Sequence, residues 1–438
     1  MMPQPVREIL QRLQQAGYEA CAVGGCVRDT LLGRTPEDWD LTTSARPEQV
    51  MALFPGHSIP TGLQHGTVTV RRGGASFEVT TFRTDGVYSD HRHPDTVRFS
   101  DSLEEDLCRR DFTVGAMAME ADGRIIDLFG GREDLARRQI RCVGSPERRF
   151  SEDALRIMRG LRFASVLGFA VEKETREAMR SCAPMLRSIA AERLRVEMTK
   201  LLTGPDASRV LLEAPEIFGV FLPEILPAVG FPQRNRYHCF DVWEHTARAV
   251  GAAPPDPVVR WTLLFHDLGK PDCFTEDAQG EAHFHGHAER SGILAAEAMR
   301  RLKFDNDSRD AILRLVERHD REIVPGRRSV RRCLNVLGPQ GMEQLLSVKR
   351  ADILAQAAAY RSRLDELDEV KRIADGLIAS EACFSLGQLA VNGRDMMELG
   401  LQGPAVGEML RCLLDQVLEE RLPNEKDILL AWAAKNVK

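Results

Sequence analysis

"VGGCVRDTLLGRTPEDWDLTT", residues 23–43, sets two glycines, an Arg-Asp pair and an Asp-Trp-Asp triplet within one short span. The preceding "YEACAV" is apolar and reads as a strand, and "VRDTLLG" after Gly24 and Gly25 reads as a helix. Backbone amides freed at a glycine turn and helix start attract anions, and glycine lets a phosphate come close. Arg28, one turn along, adds positive charge. "DWDLTT" reads as a second strand, in which residues two apart project to the same side. Asp38 and Asp40 on one face repel unless a cation lies between them. A hard divalent ion such as Mg²⁺ suits that oxygen ligation and keeps substrate phosphates in its shell. Glu78, in "SFEVTTF" on a neighbouring strand, can complete the cluster. The plainer alternatives are a tight turn for the glycines, a solvated turn for the aspartates and the wet side of a hairpin for Glu78. The pattern is neither GK[ST] nor GxGxxG.

The chain around this stretch has 438 residues, too many for one compact core. Its 43% hydrophobic and 28% charged residues suit a folded, water-soluble protein. No apolar run approaches the ~20 residues a membrane span needs. The N-terminus reads as an amphipathic helix without a basic-then-apolar signal, so a cytoplasmic location is expected. Ten cysteines without a CxxC pair indicate neither a disulfide framework nor a structural zinc site, and most are expected to be buried apolar residues. The net charge of −6 speaks mildly against nucleic acid. Local charge points the other way: residues 132–163 hold nine arginines against five acids, and "GRRSVRRC" (326–333) adds a basic cluster. A phosphate-binding track and a solvated helix face explain these equally well. The first ~130 residues alternate strands and short helices, with "TVTVRR-GG-ASFEVTTFR" a hairpin and "DGRIIDLFGG" (122–131) a closing strand. From about 150 the pattern is helical, starting at "SEDALRIMRGLRFASVL", for which Ser151 is the expected N-cap.

Carboxylate-held metals that activate a hydroxyl and stabilise leaving pyrophosphate, beside a turn that holds a triphosphate, describe nucleotidyl transfer. "GGCVRDTLLGRTPEDWDLTT" closely resembles the first motif of the class II tRNA nucleotidyltransferases and bacterial poly(A) polymerases, of the polymerase-beta-like superfamily. "LCRRDFTVGAMA" (107–118) resembles the family's ribose-selecting motif, which implies that Arg110 and Asp111 contact the sugar; Gly115 stands where asparagine is usual. "DLFGGREDL" (127–135) is similar to the hinge between head and neck. "EDALRIMRGLRF" (152–163) resembles the motif whose side chains template the base. Asp153 can accept from an exocyclic amine, present on C and A but not on U or G. Arg156, three residues on along the helix, can donate to ring acceptors, with Glu152 holding it and Arg159 a further nucleotide contact. "AERLRVEMTKLL" (191–202) resembles the helix that buttresses the template helix. Residues 83–107 resemble the flexible loop used for the final A addition.

A second constellation lies further along. His245, His266, Asp267, His287, His319 and Asp352 run in the order H…HD…H…H…D and look like an HD-type centre. Such centres bind one or two divalent metals and hydrolyse phosphoesters; His283 and His285 are expected bystanders.

The resemblance implies an α+β architecture: a polymerase-beta-like head at 1–140, a helical neck at 141–230, an HD-type domain at 231–360 and a tRNA-binding helical tail at 361–438. It implies CCA addition to tRNA 3′ ends from CTP and ATP, with Mg²⁺ on Asp38, Asp40 and Glu78 and a second divalent metal (Mn, Ni, Co or Mg) at the HD centre. No membrane partner is expected, and the sequence sets no oligomeric state. Open alternatives are a poly(A) polymerase, an enzyme adding only C or only A, an HD phosphohydrolase with a nucleotide-binding head, and a non-catalytic RNA-binding protein.

Overall fold

The computed structural model describes residues 2–85 and 97–437. The centre of the loop expected at 83–107, residues 86–96, lies outside them. The chain forms two compact units, Met1–Pro223 and Glu224–Lys438. The expected head and most of the neck fall in the first, and the HD section and tail in the second. Among the described residues no helix is long and apolar enough to cross a membrane.

The first unit opens with α1 (Gln4–Gln15), whose Val6, Ile9, Leu10 and Leu13 form one buried face at helical spacing. It runs into β1 (Ala20–Val23), α2 (Gly25–Leu31), β2 (Asp40–Thr43), α3 (Pro47–Leu53), β3 (Ser58–Gly62), β4 (Thr67–Arg72) and β5 (Ala75–Thr81). Gly73 and Gly74, both at positive φ, turn β4 into β5 as the hairpin pattern requires. A short pair, β6 (Arg83–Asp85) and β7 (Val97–Phe99), precedes α4 (Leu103–Cys108), β8 (Met117–Met119), β9 (Ile125–Asp127) and α5 (Gly131–Arg137). Seven strands form one sheet in the order β3-β4-β5-β2-β1-β8-β9. β2 and β5 run parallel at its centre, pairing Asp40 with Glu78. The buried faces of β1 and β8 meet Leu107 from α4, with Ile126 and Phe129 against them. β3 and β8 were not foreseen, because three- to five-residue strands leave too short a period to detect.

The neck carries β10 (Gln139–Ile140), α6 (Pro146–Glu152), α7 (Leu155–Leu167), β11 (Ala170–Val171), α8 (Lys173–Cys182), α9 (Ala191–Leu202), α10 (Ala207–Glu213) and α11 (Pro215–Phe218). The single helix expected from Ser151 is instead two. Ser145 caps α6 with Pro146 in its first turn, a pairing that starts helices well. Asp153 leaves helical geometry at φ −139°, ψ 104°, and its Oδ1 accepts from Leu155 N–H at 3.0 Å to start α7. Asp153 and Arg156 are therefore not neighbours on one continuous helical face.

The second unit is almost wholly helical: α12 (Val242–Ala252), α13 (Pro257–Phe265), the small pair β12 (Thr275–Glu276) and β13 (Ala282–His283), α14 (His287–Arg301), α15 (Asn306–Val316), α16 (Arg327–Ala355), α17 (Arg363–Ala379), α18 (Gly393–Glu398), α19 (Pro404–Leu418) and α20 (Lys426–Asn436). α16 kinks at Gly338-Pro339. Val330 and Leu334 on its first half share a core with Leu367, Leu377, Leu413 and Leu429, so the tail packs back onto this helix.

One compositional expectation is corrected. Four of the ten cysteines are buried rather than most, and all are free. Of the 327–332 arginines, Arg331 is buried and donates to the Val417 carbonyl at 2.9 Å, whereas Arg327, Arg328 and Arg332 are largely exposed, the first two beside Glu420 and the third beside Glu419.

Gly131 begins α5 with its would-be Cβ only 2.4 Å from the Thr113 carbonyl oxygen, a backbone atom that cannot swing aside. Gly131→Ala is expected to cost about 1–3 kcal/mol by overpacking, read as a lowered thermal midpoint. An unchanged midpoint would show that the α5 start is not close-packed.

Candidate functional site

In the head, β2 begins at Asp40, and Asp38 and Trp39 lie just before it, outside the strand. Trp39 is buried while Asp38 and Asp40 are exposed, so the alternation carries both carboxylates to one side. Glu78, also exposed, stands directly across the parallel pair from Asp40. The three carboxylates do not close to within 4.8 Å of one another; among the described residues, the groups that do are both in the second unit. Crowding by protein around Asp40 raises its carboxyl above the ordinary range, with Asp38 adding to the rise and Arg110 opposing it.

The glycine turn lies beside these acids. Gly24, at φ 81°, ψ −131°, precedes α2 and sends its N–H to Met117 O. A Cβ on Gly24 would come within 3.0 Å of Arg110 Nη1, so the bare glycine is what lets that guanidinium lie on the turn. Arg28 folds back toward Gly25 and is held two-pronged by Asp29 at 2.9 Å on each arm. Arg110 and Asp111, expected to act together on a sugar, diverge. Arg110 leans on Asp106 at 3.5 Å, whereas Asp111 pairs with Arg159 at 2.6 Å. Burial raises the Asp111 carboxyl, but Arg159 overcomes it and holds the group below its usual value. A side chain at Gly115 would face Asp111 at 3.9 Å, which places the missing asparagine at this pair.

The segment expected to template the base packs against 108–111, with Arg149 on the Cys108 carbonyl, Arg156 on the Arg109 carbonyl and Arg159 on Asp111. Glu152 takes hydrogen bonds from Arg149 and Arg156, each at 2.7 Å. Arg156 also donates to the Arg149 and Arg109 carbonyls, which fixes it in place. Arg193 of α9 reaches Asp153 at 3.1 Å. The arginine-rich stretch is thus largely consumed by internal pairs, Arg141–Asp134 and Arg162–Glu197 among them. Two residues that pattern reasoning missed organise this region. Buried Asp106 gathers Arg109, Arg110 and Thr42. Phe163 is ringed by the guanidiniums of Arg28, Arg159 and Arg162 at 5.3, 5.6 and 4.0 Å. An isolated Asp or Phe carries no signal for such convergence.

In the second unit, the six expected ligands meet in one place. Asp267 lies 3.1 Å from His266, 3.4 Å from His287 and 3.6 Å from His319, and Asp352 lies 2.9 Å from His245. Two groups result, His245–His266–Asp267 and Asp267–His287–His319, bridged by Asp267. His287 and His319 each place Nδ1 within 2.8 Å of a backbone carbonyl, Phe284 and Val316. A carbonyl only accepts, so both Nδ1 atoms carry the proton and both Nε2 lone pairs face inward. Those Nε2 atoms stand 3.2 Å apart beside Asp267, an arrangement of donor atoms that a shared divalent cation would satisfy. His283 and His285 stand outside the cluster, as expected; His283 pairs with Asp277. Sequence reasoning missed Lys270, which binds Asp267 and Gln233 at 2.7 Å each. It also missed His238, where burial, then Lys270 and His245, push the imidazole down to about 3. A cleft of about 890 Å³ opens over the cluster, lined also by Tyr237, Lys349 and Tyr360.

Residues 20–141 match the family model described as "Poly A polymerase head domain", 168–229 that of "Probable RNA and SrmB- binding site of polymerase A", and 282–433 that of "tRNA nucleotidyltransferase domain 2". The CCA-adding enzyme of Geobacillus stearothermophilus is 39% identical over 430 residues, covering 97% of this chain and 95% of that one. The chain belongs to the class II CCA-adding enzyme family. The crystal structure of the Bacillus stearothermophilus CCA-adding enzyme in complex with CTP superposes with a TM-score of 0.74, at 35% identity, covering 99% and 98% of the two chains. The Thermotoga maritima CCA-adding enzyme complexed with tRNA shares the fold, with a TM-score of 0.57 at 18% identity and coverage of 99% and 95%. The family's mixed-sheet head followed by helical regions is the architecture seen here.

If Asp40 ligates a cation it must be ionised, so its raised carboxyl predicts that nucleotide incorporation falls early as pH is lowered. Arg110 opposes that rise, so Arg110→Gln moves the acid limb of the pH–rate profile to higher pH. A limb that stays put under this substitution would separate Asp40 from the rate.

Proposed function

We propose that this chain adds CCA to the 3′ end of tRNA from CTP and ATP, without a nucleic-acid template, at the head site. The observation that carries this reading is the pairing of Asp40 with Glu78 across β2 and β5, beside the Gly24 turn. The full-length likeness to CCA-adding enzymes supports it. Enzymes of this family use divalent metals, generally Mg²⁺. The carboxylates of Asp38, Asp40 and Glu78 are hard oxygen donors of the kind Mg²⁺ prefers and would hold it. When bound, the ion activates the attacking hydroxyl and stabilises the leaving pyrophosphate.

The chain's own groups do the rest. Gly24 and Gly25 let the triphosphate approach the backbone, and Arg28 and Arg110 neutralise it. Asp111 and Arg159 face the sugar side. Asp153 accepts the exocyclic amine of C or A, and Arg156, oriented by Glu152, donates to the ring acceptor beside it. The helical elements grip the tRNA acceptor arm by backbone charge and shape. Within the two units we place the head at 1–140, neck at 141–230, HD-type domain at 231–360 and tail at 361–438, in a cytoplasmic protein.

A second activity is proposed for the histidine centre. Its paired inward lone pairs favour one or two divalent ions (Mn, Ni, Co or Mg) and metal-dependent phosphoester hydrolysis in the cleft.

End addition on tRNAs ending before C, after C and after CC should give C, C and A in turn. Extension by ATP alone on any RNA would point to a poly(A) polymerase. Asp38→Ala with Asp40→Ala should abolish addition, by more than ~10²-fold. His266→Ala should leave addition intact, lower bound divalent metal on elemental analysis and remove phosphodiesterase activity; equal hydrolysis by variant and parent would remove the hydrolase reading.

A further inference from the structure

The carboxylate proposed to read the base is aimed from outside its own helix. Asp153 sits at the break between α6 and α7, where the extended backbone alone does not fix its side chain. Two bonds do so: Leu155 N–H on Oδ1 at 3.0 Å, and Arg193 Nη2 on Oδ2 at 3.1 Å. The first comes from α7, the second from the first turn of α9.

That second bond is not needed to hold α9 against α7. Arg162 on α7 binds Glu197 on α9 at 2.6 Å, and Ser165 Oγ donates to the Leu201 carbonyl at 2.7 Å. Leu194, Met198, Leu201 and Leu202 bury the contact face of α9. Arg193, by contrast, uses its fork only in part. One arm is on Asp153, while Nη1 is buried with no hydrogen-bond partner among the described residues. Proteins rarely leave a buried guanidinium donor unpaired, because the cost falls on stability with nothing gained for packing. Arg156 differs: both of its Nη atoms have protein partners, Glu152 and two backbone carbonyls.

We infer that Arg193 is a specificity-determining positioning residue. It orients the acceptor edge of Asp153 so that the site takes nucleobases bearing an exocyclic amine and refuses those presenting a carbonyl there. The inference rests on the proposed template role of Asp153. Without Arg193 the carboxylate is held from one side only and can turn away from the amine. Discrimination then suffers more than folding does. Lysine keeps the charge but not the planar fork, so it restores part of the effect.

The test measures kcat/KM for CTP and for UTP on tRNA lacking its CCA end, with thermal midpoints alongside. Arg193→Ala should lower the CTP-over-UTP ratio about tenfold or more, the factor expected for losing one hydrogen bond to a charged group, with a near-parental midpoint. Arg193→Lys should fall between. Glu197→Gln should do the reverse, lowering the midpoint and sparing the ratio. A parental ratio in Arg193→Ala overturns the inference; should that variant fail to fold, a parental ratio in Arg193→Lys does the same. Asp153→Asn separates the two levels. If it keeps the full ratio, the template reading itself fails; if it loses the ratio while the Arg193 variants keep it, only the inference fails.

Discussion

The head depends on one parallel strand pair. β2 and β5 are far apart in sequence and adjacent in the sheet, and their register sets Asp40 opposite Glu78. A slip of one residue would turn Glu78 into the core and bring Phe77 or Val79, both buried, to the wet face. Burial of those two neighbours therefore fixes where the acid stands. The site is positioned by apolar packing on the far side of the sheet.

Around that pair the site is built by pairing off charge. Nine arginines in 132–163 suited an open track and a solvated face equally, and most meet a carboxylate or a carbonyl inside the unit. Asp106, Glu152 and Glu197 are the anchors. Buried charges are tolerable only when paired, and a paired arginine is also an aimed one. In 327–332 that logic applies to buried Arg331 alone; Arg327, Arg328 and Arg332 stay largely exposed beside Glu420 and Glu419. Local charge density thus measures how much ion pairing the fold requires before it measures affinity for a polyanion.

The histidine centre reaches order by another route. Backbone carbonyls at Phe284 and Val316 set the tautomer of His287 and His319, and Asp267 bridges two ligand groups. Gly269 lets the turn after Asp267 pass against the start of α14, where a Cβ would meet His287 O at 2.6 Å. The "HDLGK" stretch therefore carries a ligand pair, a close approach and, in Lys270, a counter-charge to Asp267.

Much of this was legible in the linear chain. Gly24-Gly25, the Asp38 and Asp40 spacing, the Gly73-Gly74 hairpin and the order of the histidines are local patterns, each tied to backbone dihedrals or side-chain period. Such features need no partner to be read. The break at Asp153, the short strands β3 and β8, the ring of guanidiniums on Phe163, the Arg193–Asp153 bond and the Asp106 anchor were not legible. The two strands are too short to show a period, and the break is a local capping event that competes with a helical pattern. The other three are contacts between segments whose separation no local rule encodes. The sequence alone determined which chemical groups were available and in what order; the tertiary structure decided which of them face one another, because that choice is made by burial and pairing across the whole unit.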